Sequence, residues 1–148
     1  MQLIAQRQVV HAGTFNGNPV CAAAALATLT ELSRDNGAIY EKMTALTTTL
    51  KEGIMERAEA HGIPVRLQGI GPFFGLLFRD PAVPITNFRE ALDEYPGRYP
   101  RFRRALLERG VHIFPTEKGL WYLSAAHTEQ DIARTLDAVD GALATLKG

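Results

Sequence analysis

A chain of 148 residues in which 16 Lys and Arg balance 16 Asp and Glu has neither the basic footprint of a nucleic-acid binder nor a polybasic membrane anchor. Its length is that of a single domain, 1–148, able to bury about two-thirds of the surface of its unfolded chain and so to form a core without disulfides or a metal. The one cysteine, Cys21, excludes an internal disulfide; set among alanines, it is expected to be a small buried thiol in a reducing, cytoplasmic compartment.

No apolar run approaches the roughly 20 residues needed to span a bilayer, and "MQLIAQRQVV" lacks the charged start and long apolar stretch of a signal peptide. That opening segment reads as strand-like and has no cap or lead-in, as though it continued something. "HAGTFNGNPV" follows, a loop of two glycines, a threonine and two asparagines. Asn18 at an N-cap and Pro19 at the first helical position then predict a helix, with Ala22, Leu26, Leu29 and Leu32 at helical spacing. "SRDNG" interrupts it. A second helix carries one apolar stripe, Ile39, Met43, Leu46, Leu50 and Ile54, until Gly62 and Pro64 stop it.

"VRLQGIG" and "FFGLLF" read as adjacent strands. Residues 79–99 hold three prolines and little periodicity, which predicts a long irregular connection with one short helical turn, of the kind that forms lids or is ordered by a partner. A helix over 101–109 turns Phe102, Ala105 and Leu106 inward and closes at Gly110. "VHIFP" and "LWYLS" are two further strands around the turn 116–119. Thr128 and Asp131 resemble a capping box ahead of the stripe Ile132, Leu136, Val139, Leu143 and Leu146. The order predicts an α+β fold, a small and mainly antiparallel sheet with helices packed on one face.

The chain carries no P-loop, no paired cysteines, no H-x-x-x-H and no nucleophile elbow, so motifs give no support to P-loop, zinc or hydrolase chemistry. His11, His61, His112 and His127 are scattered, and no metal site is expected. In the His11–Pro19 loop, Gly13 and Gly17 permit unusual backbone conformations, while Thr14, Asn16 and Asn18 offer short polar side chains before a helix N-terminus. Two readings stay open on local chemistry: a phosphate cradle, or a plain turn with an N-cap.

"HAGTFNGNPVCAAAALATLTEL" resembles the segment that follows the active-site lysine region in class III, fold-type I pyridoxal-phosphate (PLP) aminotransferases. "YLSAAHTEQDIARTLDAVDGAL" resembles the C-terminal signature of the same family, above all of its glutamate-1-semialdehyde aminomutases, and "RALLERGVHIFP" lies between them in the family's order. The resemblance covers nearly the whole chain. It implies the small C-terminal domain of such an enzyme, with Gly13 and Thr14 matching the Gly-Thr pair that binds the cofactor phosphate of the neighbouring subunit in a dimer, and with part of the cleft for a small amino or keto acid.

It also implies that the cofactor-anchoring lysine, the aspartate on the pyridine nitrogen and the ring-stacking aromatic belong to a large domain upstream of this sequence. Lys42, Lys51, Lys118 and Lys147 do not match the family's lysine context and read as solvated charges. No residue of this chain is therefore expected to be catalytic, and the chain alone is expected to be inactive. The aminomutases' glutamate in the turn before the penultimate strand falls near Gly119, with Glu117 two residues away. Arg66, Arg101, Arg103 and Arg104 are candidates for a substrate carboxylate, against a plain surface role. The competing expectation is a non-catalytic module for phosphate-ligand binding or oligomerisation.

Overall fold

A computed structural model describes residues 1–92, 97–115 and 119–146. The chain divides into two compact units, residues 1–38 and 39–148. The first holds helix α1 (Gln2–Ala5) and helix α2 (Pro19–Ser33). The opening segment is thus a short helix and not a strand. Glutamine, leucine and alanine are good helix formers.

Helix α2 begins as the sequence predicts, with the Asn18 carboxamide oxygen accepting from the N–H groups of Val20 and Cys21 at 3.0 and 3.2 Å. It ends at a 3₁₀ turn, Arg34–Gly37, where Asp35 and Asn36 take the left-handed backbone that interrupts the helical register. The helix contains no buried residue. Cys21 is accordingly exposed, against expectation, and so are Leu26 and Leu29. An alanine-rich stripe shows that a helix can pack closely, but burial also needs a covering surface.

The second unit is built on helix α3 (Ala38–His61). Met43, Leu46, Leu50, Ile54 and Ala58 recur at spacings of three and four residues and are all buried. A Schellman motif ends the helix: Ile63 N–H bonds Ala58 O and Gly62 N–H bonds Glu59 O, both at 2.9 Å. Strands β1 (Arg66–Gln68) and β2 (Phe73–Leu77) follow, then helix α4 (Arg98–Glu108), strand β3 (Leu120–Tyr122) and helix α5 (Glu129–Ala144). The sheet is antiparallel in the order β1-β2-β3, with Arg66 opposite Leu77 and Phe74 opposite Trp121.

This is the expected α+β architecture. Phe74, Leu76 and Trp121 of the sheet join Leu50 and Ile54 of α3, Phe102 and Leu106 of α4, and Val139 and Leu143 of α5 in one core. On the other side of the pleat Phe73 and Tyr122 pair at 5.1 Å and stay exposed.

Two expectations are corrected here. Helix α4 starts at Arg98 and not at residue 101, because Pro100 sits in its first turn, where a missing N–H costs nothing. "VHIFP" does not join the sheet. Val111 N–H is already given to Leu106 O at 3.0 Å, closing α4, and Phe114 O accepts from the Tyr99 hydroxyl at 3.2 Å.

The connection 79–92 contains the expected short helical turn, Glu90–Leu92. It is tied to β1, where Arg66 Nη1 donates to Pro81 O at 2.7 Å and Gln68 Nε2 to Ile85 O at 3.1 Å, and it is closed on itself by Arg79 Nη1 donating to Glu90 O. Within it, the Thr86 backbone N–H and hydroxyl both donate to the Glu90 carboxylate and hold that carboxyl below its ordinary range.

At the start of α5 the capping box is present in full. The Thr128 hydroxyl and N–H donate to Asp131 Oδ2 at 2.7 and 2.9 Å, and these two bonds hold the Asp131 carboxyl below its usual value. A depressed carboxylate contributes stability that is fully present above about pH 3.9 and disappears as pH falls through the folded-state value. Asp131→Asn is therefore expected to lower the urea midpoint near neutrality, with the gap from the native chain closing in acid. A gap of constant size down to about pH 2 would contradict the carboxylate's role.

Candidate functional site

The His11–Val20 loop is exposed over residues 11–17. Two turns shape it: Asn16 N–H bonds Gly13 O at 3.0 Å, and Asn18 N–H bonds Phe15 O at 3.1 Å. Gly17 has φ +74°, so the second turn uses the left-handed backbone that glycine permits. At Gly13 a Cβ would come within 2.8 Å of Asn16 Oδ1, so the Asn16 carboxamide lies close over that backbone. Thr14 and Phe15 stand at the exposed tip. Because Asn18 Oδ1 already caps Val20 and Cys21, the helix end is satisfied internally, and the donors of the loop include the Thr14 hydroxyl, the Asn16 carboxamide NH2 and nearby backbone N–H groups.

The four candidate arginines do not converge. Arg66 on β1 holds the 79–92 connection through Pro81 O, Arg101 on α4 donates to Thr145 O at 2.9 Å, and Arg104 pairs with Glu108 one turn along at 3.1 Å. Arg103 lies half-buried on α4. Lys42 donates to Ala125 O at 3.4 Å, and Lys51 stands 5.8 Å over the Phe74 ring, so neither is simply a solvated charge. Lys118, Lys147 and Glu117 lie outside the described residues.

Gly119 is described, with φ +55° and a backbone pressed against Leu76 O. His11 is exposed in the loop, and His61 pairs through Nε2 with Asp140 at 2.8 Å. His112 and His127, unrelated in sequence, line the same cavity. Among the described residues no group of His, Cys, Asp and Glu is arranged to hold a metal, and no helix is long and apolar enough to cross a membrane.

No family model matches the chain. It is 42% identical over 139 residues to a glutamate-1-semialdehyde 2,1-aminomutase of Bordetella avium (strain 197N), a match covering 94% of this chain and 32% of that protein. Among solved structures it is similar to an omega-transaminase from Sphaerobacter thermophilus, with a TM-score of 0.76 and 25% identity, over 95% of this chain and 31% of that one. The FumI protein of Sphingopyxis sp. MTA144, solved in a PLP form, gives a TM-score of 0.73 at 26% identity, over 97% of this chain and 31% of that one. The chain thus spans just under a third of the length of the proteins it matches.

Proposed function

The chain belongs to the class III, fold-type I PLP-dependent aminotransferase family, similar to a C-terminal part of its glutamate-1-semialdehyde aminomutases, and from that premise we propose that it supplies the cofactor-phosphate contacts of such an enzyme. Gly13 and Thr14 hold the phosphate, across a dimer interface, for a cofactor whose lysine belongs to a large domain.

The donor set fits that group. A phosphate monoester carries about −1.5 to −2 charges near neutrality and takes several short donors. The loop presents a hydroxyl and backbone N–H groups at an exposed tip, with Gly13 keeping the backbone bare of a side chain beside Thr14. When bound, PLP supplies the electron sink through which an amino group is moved. This chain's own part is to bind and orient: Thr14 donates its hydroxyl to a phosphate oxygen, and residues of the second unit form part of the cleft for a small amino or keto acid. Alone, in the cytoplasm, it is expected to bind phosphate and to turn nothing over.

The observation that carries the reading is the exposed Gly13-Thr14 tip within a stretch matched along almost all of this chain by the aminomutases. Calorimetry tests it with inorganic phosphate and pyridoxine 5′-phosphate, which lacks the aldehyde and cannot react with lysines. Millimolar binding is expected, weakened about tenfold in Thr14→Ala, the size of one charge-assisted hydrogen bond. Equal affinities in both chains would discard the site. The second reading, a non-catalytic phosphate-binding or oligomerisation module, rests on the same loop and on the exposed Leu26 and Leu29 of α2. It is favoured if the chain self-associates and the phosphate binding is unaffected by adding a lysine-bearing large domain from a related enzyme.

A further inference from the structure

We propose that the outer edge of β1 docks an extended peptide segment of a partner chain, one with an apolar residue flanked two positions away on each side by lysine or arginine. Two independent observations meet there: an unpaired strand edge, and an apolar groove with an acidic wall beside it.

The register decides which groups of β1 are free. Leu76 N–H bonds Gly119 O at 2.9 Å, so the backbone groups of Leu76 turn towards β3 and those of its neighbours Gly75 and Leu77 turn towards β1. Their partners Gln68 and Arg66 are thereby used. Leu67, between them, directs its N–H and C=O away from β2. Among the described residues no strand lies on that side, and no backbone group bonds Leu67 there. The 79–92 connection is held near β1 by the side chains of Arg66 and Gln68, which leaves the Leu67 backbone unanswered. An open edge of this kind is a template for one more strand.

Between β1 and α3 runs a groove of about 1030 Å³. Met55, Ile63, Pro64 and the half-buried Leu67 line it, and Met55 is 38% exposed. Glu52, Glu56 and Glu59, at spacings of four and three along α3, form its helix side and are exposed. Among the described residues none of these three carboxylates is in an ion pair or accepts a hydrogen bond. The two cations on the lining are engaged elsewhere: Lys51 lies over the Phe74 ring, and Arg66 donates to Gln68 Oε1 and Pro81 O.

A peptide added antiparallel to β1 answers both features. Its central residue exchanges N–H and C=O bonds with Leu67, and its side chain falls on the Leu67 face of the sheet, where Leu67 packs against the core that α3 covers. Residues two positions to either side share that face. The central apolar side chain meets Met55 and Pro64, while the flanking stems cross the apolar floor and bring their cations to glutamates that span about 10 Å of α3. Charge decides between occupants. A second copy paired edge to edge brings its own three glutamates against their like, whereas a basic segment is complementary to them.

The probe is the synthetic peptide acetyl-Lys-Thr-Leu-Thr-Lys-amide, titrated into the folded chain and followed by calorimetry and by amide resonances. Saturable binding is expected at about millimolar concentration, with the Leu67 amide among the resonances that move. N-methylation of the central leucine removes the N–H that Leu67 O accepts, and glutamate in place of both lysines reverses the charge; each is expected to weaken binding about tenfold or more. The same loss is expected for the chain carrying Glu52→Gln, Glu56→Gln and Glu59→Gln, three exposed substitutions that leave the core intact. Absence of binding, equal affinity for either altered peptide, or an unchanged affinity in the triple variant would each overturn the proposal. So would a dimer that protects the Leu67 amide and persists at saturating peptide, since the edge then belongs to a second copy.

Discussion

Gly119→Ala is expected to lower the stability of the fold by roughly 3 kcal/mol or more, a large share of the 5–15 kcal/mol that holds a typical domain together. Two costs add. Gly119 has φ +55°, a conformation that costs other residues about 1–2 kcal/mol. A Cβ there would also fall on the Leu76 carbonyl oxygen and within 2.8 Å of Tyr99 Cε2. Leu76 is in the central strand and donates its own N–H to Gly119 O at 2.9 Å, so relief means moving backbone and not a flexible side chain.

Gly119→Glu is expected to be at least as damaging. The glutamate that aminomutases place near this turn therefore has no room at position 119 on this backbone. Urea denaturation followed by circular dichroism measures both variants, and a loss under about 0.5 kcal/mol for alanine would mean that the turn relaxes freely.

What could be read in advance follows from where the determining interactions lie along the chain. Asn18 with Pro19, and Thr128 with Asp131, act on N–H groups within three residues of themselves, so sequence alone places the starts of α2 and α5. The stripe of α3 is equally local. "VHIFP" has the composition of a strand and does not become one, because Leu106 and Tyr99, outside the segment, take its hydrogen-bonding groups.

The same logic bears on the candidate site. Local chemistry cannot separate the Gly13-Thr14 loop from an ordinary turn, and its turn bonds and Asn18 cap are those of one; only family resemblance gives Thr14 a ligand.

Phe102→Ala should cost about 3–5 kcal/mol, the usual range for truncating a buried phenylalanine. Phe102 is fully buried on α4 and meets the fully buried Phe78, just past β2, edge to face at 5.3 Å. It thereby joins the helix to the sheet. Leu107, on the same helix and 50% exposed, is the internal control: Leu107→Ala keeps the helix propensity and removes little packing, so its cost should stay within about 1 kcal/mol. Adding Phe78→Leu and closing a double-mutant cycle isolates the ring contact, for which about 0.5–1.5 kcal/mol of coupling is expected beyond area burial. If Phe102→Ala and Leu107→Ala destabilise the chain equally, α4 is not packed on the sheet through Phe102, and the core described here is wrong at its centre.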